Sequence, residues 1–384
     1  MFSQSDSMRL VFNATALLSP LTGIGQYGFY LAGELLKTPD LETDFFYGSF
    51  WDKSRLTSRP LGTSHVPELI KKITPFYTPL SRIYRQYKFS QEIKNGRYDV
   101  YHEPNYLPLR INCPTVITVH DLSWIRYPET HPIERVSMMN RYFEKALGQA
   151  SALITDAEFV RQEIIDTFGV RPEKITAIPL GVEAIFRPRS ESETQDVLSA
   201  QGLVHRNYFL TVGTLEPRKN LSLAIKAYGA LPELIRKRFP LVVIGMTGWH
   251  SEEIERLIAP LQRAGYIRQL GYVSRSDLAT IMAGATALIY PSIYEGFGLP
   301  PLEAMASGTP VICSNVSSLP EVVGDAGILI DPSDVDALQM HLQEMTSDRN
   351  LCNDLALKAR KRSLEFTWAN CAKNTLNVYR SVIT

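Results

Sequence analysis

Short apolar, β-branched runs recur along this chain, and each is followed by a stretch with helical character. In the first half they are Met8–Phe12, Asp44–Tyr47, Val100–His102, Thr115–His120, Ala152–Thr155 and Ile175–Pro179. In the second half they are Tyr208–Val212, Leu241–Gly245, Ile267–Gly271, Ala287–Tyr290, Pro310–Cys313 and Gly327–Ile330. A strand that is apolar on both sides has no face to show to water. Runs of this kind therefore imply parallel sheets covered on both faces by helices. At 384 residues the chain is too long for one ordinary core and suits two such α/β domains. The stretch from Arg187 to Gln201 is polar and lacks an apolar rhythm until Val197, so the interdomain connection is expected there. That divides the chain into a first domain over 1–186, a connection over 187–201, a second domain over 202–365 and a terminal amphipathic helix over 366–384.

Charge and cysteine usage narrow the class. Lys+Arg and Asp+Glu both number 40, and a formally neutral chain is a poor match to nucleic acid as the main partner. No apolar run approaches the ~20 residues needed to span a bilayer. Met1–Ser7 has neither a basic start nor an apolar stretch, so no signal peptide is visible and a cytoplasmic protein is expected. Cys113, Cys313, Cys352 and Cys371 are scattered without a Cys-x-x-Cys pair, which suits reduced thiols better than disulfides or zinc.

The chemistry concentrates between Tyr290 and Glu321. An apolar strand ending at Tyr290 runs into a glycine-rich turn, Glu295-Gly296-Phe297-Gly298-Leu299, and a helix follows that carries Glu303. Gly296 and Gly298 allow backbone N–H groups to approach a ligand closely. Carboxylates accept hydrogen bonds from hydroxyls, and a helix N-terminus favours negative charge. A polyhydroxylated, phosphate-bearing ligand suits that equipment. Upstream, Gly213-Thr214-Leu215-Glu216-Pro217-Arg218-Lys219-Asn220 follows a strand and precedes a helix. A basic pair at a helix start is unfavourable for the dipole unless an anion joins it, so Arg218 and Lys219 point to an anionic group of the ligand.

The Glu295-x7-Glu303 segment resembles the signature of retaining nucleotide-sugar glycosyltransferases of the two-Rossmann-domain (GT-B, GT4-like) type. The phrases Gly-Thr-Leu-Glu-Pro-Arg-Lys-Asn and Tyr-Glu-Gly-Phe-Gly-Leu-Pro-Pro-Leu-Glu are most similar to bacterial mannosyl- and rhamnosyltransferases of O-antigen and exopolysaccharide assembly. Many relatives carry an arginine directly after the glycine where this chain has Thr214, so the diphosphate role is shared here between Arg218 and Lys219. The resemblance implies two Rossmann-like domains facing a central cleft, with the terminal helix returning to the first. It implies that Glu303 binds the nucleotide ribose and that Glu295 faces the donor sugar. Gly296, Phe297, Gly298 and Leu299 would line the donor. His120, at the end of a first-domain strand, corresponds to the histidine that contacts the donor sugar, and Asp121 would orient it or touch the acceptor.

Since no carboxylate nucleophile is obvious, a front-face reaction is expected, with no resident cofactor, and the resemblance makes GDP-mannose the first-choice donor. UDP-glucose and dTDP- or GDP-rhamnose are the other donors weighed. A sucrose- or trehalose-type synthase or phosphorylase would use the same cleft, and a non-enzymatic nucleotide-sugar sensor would keep Glu303 but has no need of Lys219 or His120. The acceptor would be a saccharide, free or lipid-linked.

Three further features need separating from this reading. Gly23-Ile24-Gly25-Gln26-Tyr27-Gly28 formally matches a dinucleotide fingerprint. Some ten residues (Asn13 to Thr22) separate it from its strand, however, and no acidic residue is clearly placed after it. A glycine loop before the first helix, with Gly23 and Gly25 presenting amides to the donor phosphates, resembles the transferase family instead. Asp334-Val335-Asp336 has the pattern of metal-dependent transferases of another fold, but its setting reads as a helix cap, and no catalytic metal is expected. Between Glu68 and Arg97 lie Lys71, Lys72, Arg82, Arg85, Lys88, Lys94 and Arg97, interleaved with Tyr77, Ile83, Tyr84, Tyr87 and Phe89. That mixture suits peripheral contact with anionic lipid at the inner face of the cytoplasmic membrane, or a helix covering its own core.

Overall fold

The computed structural model describes residues 7–18, 23–53, 79–93, 97–248 and 251–383. They fold as two compact units, Met1–Gly181 with Trp368–Thr384, and Val182–Thr367. The first is built on a seven-stranded sheet in the order β3-β2-β1-β4-β5-β6-β7. These strands are β1 (Met8–Asn13), β2 (Leu41–Phe46), β3 (Trp51–Lys53), β4 (Val100–Glu103), β5 (Thr115–Val119), β6 (Ala152–Thr155) and β7 (Ile175–Ala177). The second has six strands in the order β10-β9-β8-β11-β12-β13. They are β8 (Phe209–Val212), β9 (Leu241–Ile244), β10 (Ile267–Gly271), β11 (Ala287–Tyr290), β12 (Val311–Ser314) and β13 (Ile328–Ile330).

Among the described residues every strand pairing is parallel except β2 with β3. Full burial of β5, β6, β9, β11 and β12 explains their largely apolar composition, since helices cover both faces, while the equally buried β4 carries His102 and Glu103. The expected strands are all present. The one missed is β3, an antiparallel edge strand of three residues with Asp52 and Lys53 in it, too short and too polar to show a period.

The expected connection over 187–201 needs correction. The chain crosses between units at Gly181/Val182 and again at Thr367/Trp368, while 187–201 holds a helix of the second unit, Glu191–Ala200. Ser190 and Glu193 form a reciprocal capping box at its start. Only Thr194 and Leu198 are buried along it, an i,i+4 pair too sparse to register as an apolar rhythm. The terminal helix, Trp368–Ile383, belongs to the first unit. Trp368, Cys371, Ala372, Thr375, Leu376 and Tyr379 recur at helical spacing and are buried. Trp368 stacks on Tyr30 at 5.4 Å, and the Tyr379 hydroxyl lies 2.6 Å from Nδ1 of His102.

Gly23 and Gly25 do not form a loop ahead of a helix; they are the first turn of the helix Gly23–Leu35 itself. Of the basic, aromatic stretch, Glu68, Lys71, Lys72, Tyr77 and Lys94 lie outside the described residues, and Pro79–Ile93 is a helix. Its aromatic residues divide. Phe89 is fully buried against Trp51 and Phe46, whereas Ile83, Tyr84 and Tyr87 are exposed. All four cysteines are unpaired. Among the described residues, no helix is long and apolar enough to cross a membrane.

Candidate active site

Ligands of doubly wound sheets bind beyond the carboxyl ends of the strands, where the strand order reverses. In the second unit that point lies between β8 and β11, and the motif residues follow these two strands. After β8 the chain can turn because Gly213 and Gly245 let two backbones meet. A Cβ on Gly245 would lie 1.8 Å from the Gly213 carbonyl oxygen, and Gly245 has φ of +154°. Arg218 and Lys219 then occupy a short 3-10 turn, Pro217–Lys219, with left-handed Asn220 leading into the helix Leu221–Gly229. The Ile293 N–H donates to the Arg218 carbonyl at 2.9 Å, tying this turn to the loop after β11.

Lys219, Arg218 and Glu295 converge there. Lys219 Nζ donates to Glu295 Oε1 at 2.5 Å and to the Tyr290 hydroxyl at 3.0 Å, and that hydroxyl donates to the same Oε1 at 2.8 Å. Arg218 reaches Glu295 Oε2 at 3.2 Å, the Tyr294 carbonyl at 2.7 Å and Glu216 at 2.8 Å. Burial would raise the Glu295 carboxyl, but the Lys219 and Arg218 charges outweigh it and hold it at about 2. Burial and the neighbouring Arg218 lower Lys219, against the pull of Glu295 and Glu216. The result is two cations matched by two carboxylates, fixed in place before any anion arrives.

The glycine turn is held from behind. Ser318 Oγ donates to the carbonyls of Glu295 and Phe297 at 2.9 and 2.8 Å, and the Glu295 N–H donates to Ser317 Oγ at 3.0 Å. Gly298, at φ of +116°, precedes the helix Leu299–Ala306, whose start has no side-chain cap. Pro300 and Pro301 carry no N–H, so Gly298 and Leu299 supply the free amides at this end. Glu303 is buried within that helix and is not part of the Glu295 cluster. It accepts from Arg275 Nη2 at 2.6 Å, and Arg275 Nε donates to Glu183 at 3.0 Å. Burial pushes the Glu303 carboxyl up and Arg275 pulls it back.

In the first unit His120 follows β5, as expected, and both ring nitrogens are engaged. Nδ1 lies 2.7 Å from Asp156 and Nε2 lies 2.8 Å from the Pro104 carbonyl. An acceptor at each nitrogen favours the imidazolium. Burial works against that charge, but Asp156 and the Pro104 carbonyl outweigh it and raise His120 above its ordinary value. Asp121 accepts from the Tyr106 hydroxyl at 3.2 Å and from the Ser123 N–H and hydroxyl at 3.0 and 2.8 Å, an Asx-type turn that starts the helix Ser123–Arg126. The Asp334 side chain accepts from the Ala337 N–H at 2.8 Å and caps the helix Val335–Ser347.

Residues 22–184 match the Glycosyltransferase Family 4 domain, and residues 199–362 match Glycosyl transferases group 1. The chain is 36% identical over 381 residues to O-antigen chain mannosyltransferase B of Escherichia coli, spanning 97% of this chain and 100% of that one. It belongs to this glycosyltransferase family. Among solved structures, sucrose-phosphate synthase from Thermosynechococcus elongatus superposes with a TM-score of 0.74 over 97% of this chain and 98% of that one, at 19% identity. WaaG, a glycosyltransferase involved in lipopolysaccharide biosynthesis, gives 0.72 over 96% and 99%, also at 19% identity. The two units are thus the Rossmann-like domains of a GT-B glycosyltransferase.

Several residues of the candidate site were not marked by the sequence as partners of the motif residues. Tyr290 ends an apolar strand and Glu216 precedes a proline; nothing local marks either as a partner of Lys219 or Arg218. Arg275 and Glu183 are 92 positions apart, and only the fold brings them to Glu303. Asp156, at the end of β6, has one available signal, an acid directly after a buried strand at the ligand-bearing edge of the sheet.

Proposed function

We propose that this glycosyltransferase moves mannose from GDP-mannose, with retention of anomeric configuration, onto a saccharide acceptor in bacterial surface polysaccharide synthesis. The observation that carries the reading is the Lys219–Arg218–Glu295–Glu216 cluster at the switch point of the second sheet. Preorganised cations in a partly buried site stabilise charge where it develops, on the leaving diphosphate. The bond from C1 to the β-phosphate oxygen breaks, and the acceptor oxygen bonds to C1 on the same face. The acceptor proton passes to the departing phosphate oxygen, so no protein base is needed. Glu303 receives the ribose hydroxyls. Glu295 acts through Lys219 and Arg218, since its two oxygens already accept from them.

The mannosyl choice is supported by the O-antigen relative and by the MMP alpha-(1->4)-mannosyltransferase of Mycolicibacterium hassiacum, 29% identical over 76% of this chain. Lipid contact is supported by the helix Pro79–Ile93, where exposed Ile83, Tyr84 and Tyr87 neighbour Arg82, Arg85 and Lys88. The anionic lipid would take the basic side chains and the headgroup layer the rings.

The test is a thermal-shift panel of GDP-, UDP-, ADP- and dTDP-sugars on the wild type and Glu303→Ala. It is followed by NMR of the anomeric proton in the product. A melting-temperature rise confined to the GDP series and lost in the variant, with an α-linked product, is the expected result. A UDP or dTDP response overturns the donor, and an inverted product overturns the mechanism.

A further inference from the structure

Glu303 is 3% exposed, and an ionised carboxylate so deeply placed is costly unless it is paired. Arg275 supplies the pairing from the first residue of the helix Arg275–Gly284, directly after β10. Its guanidinium is held on three sides. Nη2 donates to Glu303 Oε1 at 2.6 Å, Nε donates to Glu183 Oε2 at 3.0 Å, and the Phe186 ring centroid lies 4.4 Å from Cζ. Two carboxylates around one guanidinium leave the group with a net negative charge. Arg275 occupies one oxygen of Glu303, and a carboxylate has a second that can accept from a hydroxyl. A fixed, net-negative acceptor suits a neutral diol and repels a phosphate.

We infer that Arg275 is a positioning residue for the nucleotide ribose: with Glu183 and Phe186 behind it, it fixes the buried Glu303 carboxylate so that its free oxygen meets the vicinal diol. This rests on the reading of Glu303 as the ribose ligand. In this assignment Arg275 acts on the donor only through Glu303. Its contribution is confined to the hydroxyls, while the diphosphate is held separately by Lys219 and Arg218. The guanidinium is the right group for this place because its planar fork serves two carboxylates at once, which a lysine ammonium on a flexible stem does not reproduce.

The experiment is calorimetric titration of GDP and 2′,3′-dideoxy-GDP into the full chain as wild type, Arg275→Met, Glu303→Gln and the double variant. Wild type should bind GDP more tightly than the dideoxy form. Arg275→Met should weaken GDP roughly tenfold and leave dideoxy-GDP unchanged, as expected when one strong hydrogen bond to the ribose is lost. In the Glu303→Gln background the arginine change should have no further effect on GDP, because the two act as one unit. If Arg275→Met alone fails to fold, Arg275→Lys takes its place, with a smaller loss confined to GDP. Equal losses for GDP and dideoxy-GDP, or additive losses in the double variant, would overturn the inference and leave the donor reading standing. A wild type that does not discriminate between the two ligands would overturn Glu303 as the ribose ligand and the inference with it.

Discussion

Lys219 shows how much a single side chain depends on the neighbours the fold gives it. Its ammonium sits between Glu295 and the Tyr290 hydroxyl, within 5.4 Å of the Tyr290 ring centroid, so its position is set before substrate arrives. Lys219→Met should lower kcat by about 10²–10³-fold, the usual cost of removing one preorganised charge from a transition state. Tyr290→Phe keeps the ion pair and should cost far less; equal losses in steady-state assays would show that the hydroxyl, not the charge, matters. Glu103 offers a different test. It ends β4 beside the end of β1, where the first sheet reverses, and accepts from Asn13 Nδ2 at 2.6 Å, the Tyr101 hydroxyl at 2.7 Å and the Asn105 N–H at 3.1 Å. Burial lifts its carboxyl to about 7 despite those donors. A native pKa above the unfolded one means the folded chain keeps a proton that the unfolded chain has lost. This contribution to stability is therefore full below about pH 4.5 and is lost as pH rises through 7. Relative to Glu103→Gln, the wild type should lose roughly 3 kcal/mol between pH 4.5 and 8, read from denaturant melts at each pH. A constant difference across that range would contradict the assignment. Glu295 has the opposite sign: held at about 2, its contribution is present above pH 4.5 and fades only as pH falls toward 2.

At the scale of elements, what could be read from the chain and what could not divide along physical lines. Twelve strands were legible, most plainly β5, β6, β9, β11 and β12, where burial on both faces leaves little room for polar residues and the signal is contained in four or five consecutive side chains. The Glu295-to-Glu303 unit was legible for a related reason, since its glycines, prolines and carboxylates are all local. Gly23 and Gly25 misled because glycine marks a loop and a helix N-terminus alike. The 187–201 stretch misled because two buried residues in ten do not make a rhythm. Arg275 with Glu183, and Asp156 with His120, are long-range pairs with no local signature at all. The glycine after β9 gives the sharpest element-level prediction. Gly245→Ala would drive a Cβ into the Gly213 carbonyl at a φ that side chains avoid. The β8 and β9 turns would have to separate, carrying Lys219 with them. A destabilisation of about 2–4 kcal/mol is expected, with nucleotide binding weakened even in the folded fraction. Gly265→Ala, also at positive φ but with open space around it, should cost only about 1 kcal/mol; equal melts for the two would discount the backbone clash.

For the whole molecule, the decisive fact is that one unit is continuous in sequence and the other is not. Residues 182–367 form the second unit unbroken, with the six-stranded sheet, the cation cluster and Glu303 all inside it. The first unit is closed by residues 368–384, which bring Trp368 onto Tyr27 and Tyr30 and the Tyr379 hydroxyl onto His102. Removing that helix exposes a buried stripe and strips His102, fully buried and lowered to about 3 by burial, of the hydroxyl partner at its Nδ1. A domain of this size carries a net stability of only about 5–15 kcal/mol, so losing a whole face of its core exceeds what it can absorb. The fragment 182–367, expressed alone, should therefore melt cooperatively and rise in melting temperature with GDP, because Arg218, Lys219 and Glu303, proposed to hold the diphosphate and the ribose, all lie within it. The fragment 1–181 should be unfolded or aggregated until a peptide of 368–384 is supplied, and then regain far-UV circular dichroism. Should 1–181 fold unaided, the terminal helix would be an ornament on the first unit rather than part of its core. Should 182–367 fold without responding to any nucleoside diphosphate, the cluster around Lys219 would not by itself be a donor site.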